Sequence, residues 1–158
     1  MAVTISGSGT VTGLASGNAG VGKILQVVQG TTTTQTTSSS STYANTNLTA
    51  TITPTSATSK VLVMVSHGGV SKGTGNTYAQ LRITRDGTAI TGDFAGNINY
   101  TADTSTLTIS ASTTYLDSPA STSALVYRTQ VASGANVANV TVSNASALGT
   151  ITLIEVAA

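Results

Sequence analysis

The chain has 158 residues, of which 32 are Thr and 20 are Ser, while charged residues make up only 7%, against about 25% in an ordinary soluble domain. A net charge of +1, no Cys and a single His exclude a nucleic-acid binder held by phosphate contacts, a highly charged disordered tail, and any disulfide framework or thiolate metal site. The five acids and one His leave little catalytic chemistry, so a structural or binding protein is expected: not an enzyme, with no cofactor and no metal.

Residues 1–22 hold Gly at 7, 9, 13, 17, 20 and 22 among Ser, Ala and Asn. They read as an extended Gly-rich N-terminal arm, and 22 extended residues reach roughly 70 Å. The start, MAVTISGSGTV, has neither a basic nor a long apolar stretch, so no secretory leader is expected. No apolar run approaches the length of a membrane span. The protein is expected to be made in a cytoplasm.

The domain proper is expected over 23–158. KILQVVQ (23–29) is apolar on both faces, which predicts a buried strand. TTTTQTTSSSST (31–42) is polar and of low complexity, with no reason to pack. In LTATITPT (48–55), Leu48, Ala50 and Ile52 alternate with Thr, and Pro54 ends the strand. KVLVMVS (60–66) is the most apolar segment and predicts a central strand. HGGVSKGTGN (67–76) reads as a flexible loop. AQLRITR (79–85) sets Leu81 and Ile83 opposite Gln80, Arg82 and Thr84, and Asp86-Gly87 predicts a tight hairpin turn into TAIT (88–91). Shorter strands are expected at LTIS (107–110) and TTYLD (113–117), followed by ALVYRTQVA (124–132), ANVTVS (138–143) and TITLIEV (150–156). The last is apolar on both faces, which predicts a place in mid-sheet or in an interface.

About nine short strands with turn signals between them, and no helix, predict an all-β antiparallel sandwich or jelly roll. Leu, Ile, Val and Phe total only 35 residues, a thin core for a chain that spends roughly 1–2 kcal/mol of backbone entropy per ordered residue. Subunit contacts are therefore expected to supply part of the burial.

The chemical motifs are weak. GNAGVGK (17–23) approaches a phosphate-binding loop, but Ile24 replaces the hydroxyl residue and a strand replaces the helix. HGGVSKG (67–73) contains Gly69-x-Ser71-x-Gly73, yet His67 precedes the serine and no helix follows. A hydrolase would need His67 and Ser71 within hydrogen-bond reach. Asp86 is explained by its turn. Asp93, Asp103, Asp117 and Glu155 form no local pair and read as lone surface charges. Sequons at Asn47, Asn99, Asn139 and Asn144 are what chance supplies among so many hydroxyl residues. Tyr43, Tyr78, Tyr100, Tyr115 and Tyr127 read as caps at the core rim, a glycan-binding face being the other reading. No catalytic, cofactor or metal residues are assigned.

Taken in order, KILQVVQ, the block ITPTSATSKVLV (52–63), the hairpin RDGTAI (85–90), YLDSP (115–119) and the terminal TITLIE (150–155) resemble small bacteriophage virion proteins. These are the capsid-decoration, head-fibre and tail-fibre β-domains of phages infecting cyanobacteria and other aquatic bacteria, and the resemblance covers 23–158. It implies a β-sandwich or jelly-roll protomer assembling as a homotrimer on the virion, with no catalytic residues to carry over. Because the chain begins at Met1 with no shaft or heptad pattern before the sandwich, a capsid decoration (cement) protein bound to the major capsid protein is expected. The alternative is a fibre tip binding a host-surface receptor or glycan. Neither nucleic acid nor membrane is expected as a partner.

Overall fold

In a computed structural model of the chain, the structure describes residues 22–158 except 97, 98, 104, 136 and 137, together with the backbone of 4–5 and 11–12. The strands in chain order are β1 (Thr4–Ile5), β2 (Val11–Thr12), β3 (Ile24–Thr32), β4 (Thr36–Ser38), β5 (Ala44–Ile52), β6 (Lys60–Lys72), β7 (Ala79–Arg85), β8 (Thr88–Ala89), β9 (Leu107–Asp117), β10 (Leu125–Ser133), β11 (Val140–Val142) and β12 (Gly149–Val156). The only helical element among the described residues is a short 3-10 turn at Asn144–Ser146. β1 and β2 pair antiparallel with each other; the rest of the expected arm up to residue 21 lies outside the described residues.

Two antiparallel sheets make the sandwich. The smaller runs β5-β10-β7-β8, and the larger runs β3-β12-β6, with β9 on the far side of β6 and the short pair β11-β4 joining it. Strands that follow one another in sequence mostly fall in opposite sheets: β3, β6, β9 and β12 lie in the larger, β5, β7, β8 and β10 in the smaller. β-branched Thr, Val and Ile, which suit a pleated surface and pay in helices, recur in every one of these strands.

Alternation sorts the side chains. Leu48, Ile52, Ile83 and Tyr127 of the smaller sheet meet Val61, Val63, Ile151 and Leu153 of the larger in one buried cluster. Leu81 and Val131 meet Val70, Val140 and Val142 in a second. Phe94, the chain's single Phe, packs against both clusters. β3 and β5 come close at Gly30, where a Cβ would stand 1.9 Å from the carbonyl oxygen of Thr49. No other residue fits there.

Several expectations hold. LTATIT buries Leu48, Ala50 and Ile52, β6 is central, and β12 lies between β3 and β6. Asp86 (φ 49°) and Gly87 (φ 83°) form the tight turn with two positive φ values, as a two-residue hairpin of the right twist requires.

Four expectations are corrected. Segment 23–29 is an edge strand, not a buried one: β3 pairs with β12 alone, and Ile24 and Val27 are each 58% exposed. The hydroxyl stretch 31–42 does pack, because β4 pairs with β11 from Val140↔Ser38 to Val142↔Thr36. The segments 107–110 and 113–117 are one continuous strand, β9, paired along β6.

The fourth correction is the 67–76 loop, most of which is strand. β6 runs on to Lys72 through a bulge between His67 and Val70. Gly69 makes the bulge possible with φ +62°, and a Cβ there would lie 2.6 Å from the amide nitrogen of Asn144. The bulge is stapled to the 3-10 turn by Gly68 N–H donating to the Leu148 carbonyl and Ser143 N–H donating to the Gly68 carbonyl. A glycine pair that looks like a loop is here the pivot that lets one strand serve β12 before it and β11 after it.

Candidate functional site

The polar residues singled out in the sequence go mainly to structure. His67 is fully buried, and its Nε2 lies 2.7 Å from Thr129 Oγ1, which lies 2.6 Å from Thr46 Oγ1. This chain of hydroxyls crosses from the larger sheet to the smaller. Nδ1 of His67 has no partner, and burial drops the pKa of the ring to about 4, so the imidazole is neutral near pH 7. Ser71 sits on β6, and the hydrogen bond of His67 goes to Thr129 instead of to it. The Gly-x-Ser-x-Gly match therefore lies along a strand and not at a strand-to-helix turn.

The acids are not lone surface charges. Asp117 Oδ2 accepts from Tyr127 Oη at 2.6 Å and from Arg85 at 2.5 Å, the one ion pair among the described residues. The contact ties β9 to β10 and β7, and burial together with Asp117 pushes the Tyr127 phenol well above its ordinary range. Glu155 accepts from Gln26 Nε2, Thr55 N–H and Thr55 Oγ1. Burial pushes its carboxyl up, but these donors outweigh burial and hold it at about 2. Asp93 accepts from the amides of Leu81 and Ala95, Asp86 from that of Val126, and Asp103 from that of Ser105. Buried Lys72 donates to the carbonyls of Thr74, Thr101 and Asp103. In a chain this poor in ions, every acid and Lys72, Arg82 and Arg85 are tied to a strand, a turn or a sheet corner. Among the described residues no cluster of His, Asp and Glu could hold a metal ion.

The tyrosines are scattered. Tyr127 is in the core, Tyr78 and Tyr100 meet edge to face at 6.0 Å, and Arg82 stacks 3.9 Å over the ring of Tyr43. Arg82 Nε donates to Gln130 Oε1, and Gln130 Nε2 donates to Asn45 Oδ1. This makes a polar strip across the outer face of the smaller sheet.

The outer face of the larger sheet is chemically different. Val27, Ile154, Leu62 and Leu116 stand in register across β3, β12, β6 and β9. Beside them run a second row, Gln29, Thr152, Met64 and Thr114, and a third, Thr31, Thr150, Ser66 and Ser112. A shallow groove of about 320 Å³ follows Met64, Ser66, Ser112, Thr114, Thr150 and Thr152. Leu116 is 50% and Met64 44% exposed. The face grades from methyl groups at one end to hydroxyls at the other, without a charge in any of the three rows.

Sequence reasoning allowed an interface for the terminal strand 150–156 but missed the face as a whole, because it took segment 23–29, apolar on both sides, to be buried on both. The signal was present: two strands shared the feature in a chain too short of large side chains to cover them all. Comparison with protein-family models gives no match, and comparison with curated proteins gives none either.

Proposed function

We propose that the chain is a structural protein of a bacteriophage virion, a homotrimeric decoration protein seated on the major capsid protein. The observation that carries this reading is a sandwich that leaves a sheet face, partly apolar and without charge in its three central rows, and a long edge strand, β9, open to solvent. Such a surface on a soluble domain marks a partner site. Two further features support the reading. The strand order β3-β12-β6-β9 over β5-β10-β7-β8 is the winding of a jelly roll, an architecture common to viral capsid and lectin domains. The resemblance of residues 23–158 to virion β-domains points the same way.

The reading is tested by imaging virions of the phage that carries the chain. The expected result is density for the sandwich on the capsid in multiples of three copies, and particles lacking it that burst at lower temperature. Density on the tail alone, or none, overturns it.

A second reading, a fibre tip that binds a host glycan, is favoured by the Tyr43–Arg82 stack beside Gln130 and Asn45. An aromatic ring beside fixed amide groups is suited to a sugar's apolar face and hydroxyls. Binding of host polysaccharide that is lost in Tyr43→Ala would favour this reading over the first.

A further inference from the structure

We infer that the outer face of the larger sheet, centred on the row Val27–Ile154–Leu62–Leu116, is where copies of this chain meet one another. The inference rests on the homotrimer reading above and names the surface that makes the homotrimer.

Three observations choose a second copy as the occupant. The first is area. Four side chains of this face, Ile24, Val27, Met64 and Leu116, are 44–58% exposed, which leaves roughly 400 Å² of apolar surface in one patch, the size of a monomer's largest and often functional patch. A standard interface buries about 800 Å² per partner, of which a little over half, roughly 450 Å², is apolar. The patch matches what one subunit must contribute.

The second is chemistry. No side chain of the three rows is charged, and Lys60, beside Val156 and Ile24 at the rim of the face, is the nearest charge in register, so a charged partner gains little at the centre. Methyl groups meet methyl groups without directionality, and a hydroxyl both donates and accepts. One part of a Thr, Ser and aliphatic face can therefore pack against a different part of the same face on a neighbour, as a ring of identical subunits closing around a three-fold axis requires.

The third is the edge. β9 pairs with β6 alone, and its 11 residues contain no Lys, Arg or Pro, the usual guards of an open edge. Leu116 lies both on that edge strand and at the end of the apolar row, so a neighbour covering the row also shields the strand.

The experiment compares subunit mass by sedimentation equilibrium for the full chain and three variants. Leu116→Glu and Val27→Glu each put a charge into the row at a position exposed in the single subunit. Thr51→Glu puts one on the outer face of the smaller sheet, where Thr51 is exposed. The expected result is an assembled parent and an assembled Thr51→Glu, with association weakened on the order of 100-fold in the two row variants while their β-sheet circular dichroism is kept. Row variants that stay assembled overturn the inference and leave the homotrimer standing. A parent that is monomeric at all concentrations overturns both. Should the row variants fail to fold, Thr152→Cys, a clean label site because the chain has no Cys of its own, decides the matter. Slow thiol labelling in the assembled protein supports the inference, and labelling as fast as in a short peptide overturns it.

Discussion

At the scale of single residues, the buried polar groups set how the protein responds to acid. His67 is the chain's only histidine, and burial holds its pKa near 4, below the ~6.5 of an exposed imidazole. Between those two values the unfolded chain takes up a proton that the folded chain refuses, so stability falls as pH drops from about 6.5 to 4. The loss should approach about 3 kcal/mol, read from urea unfolding at a series of pH values, and His67→Gln should flatten the slope in that window. Glu155 acts lower: its carboxyl, held near 2, contributes stability above about 4.5 that disappears as pH falls toward 2. The Asp117 corner makes a separate prediction. Tyr127→Phe removes one donor from a carboxylate that keeps Arg85 and should cost about 1–2 kcal/mol. Asp117→Ala, which strands both partners, should cost more. Thermal unfolding of the two variants orders them.

At the scale of elements, the bulge in β6 is the joint on which the larger sheet turns. Gly69→Ala would need a positive φ and would drive its methyl into the backbone of Asn144. Gly87→Ala meets nothing within 4 Å and suffers from its φ of 83° alone. The first should cost over about 2 kcal/mol and the second about 1, a difference that denaturant midpoints will resolve. Strands with one apolar and one polar face, β5 and β7, were legible in the sequence because a period of two fixes which side is buried. The turn at 86–87 was legible because Asp-Gly has few other uses between such strands. The His67–Lys72 stretch was not. Its Gly-Gly pair breaks the pattern locally, and only pairing with β9, some 40 residues further along the chain, makes it a strand. β3 was misread for a related reason: periodicity tells that two faces are apolar but not whether a layer of the same molecule lies over each. The long-range contacts of Asp117, Glu155 and Lys72 were invisible because their partners are distant in sequence.

At the scale of the whole molecule, the five acids and six bases are largely engaged inside the subunit, and the three central rows of the proposed contact face carry none, Lys60 standing at its rim. Subunit association should therefore depend weakly on ionic strength, its dissociation constant changing less than about three-fold between 0.05 and 0.5 M salt. A steep loss of assembly in salt, followed by light scattering, would contradict an interface built from methyl and hydroxyl groups. The two ends of the sandwich have a further consequence. Gly22 N–H donates to the Ala157 carbonyl and Ala157 N–H donates to the Lys23 carbonyl, both at 2.9 Å, so the first and last described segments are laced together at the Lys60 end of β6. Tyr78 and Tyr100 lie at the other end, where β6 finishes at Lys72 and its ammonium holds the Thr101 carbonyl. The subunit thus has a hilt and a tip. The polypeptide enters at Gly22 and reaches Ala157 at the same hilt, and a foreign peptide spliced after the exposed Gly73 would be carried at the tip, the full length of the sheet away.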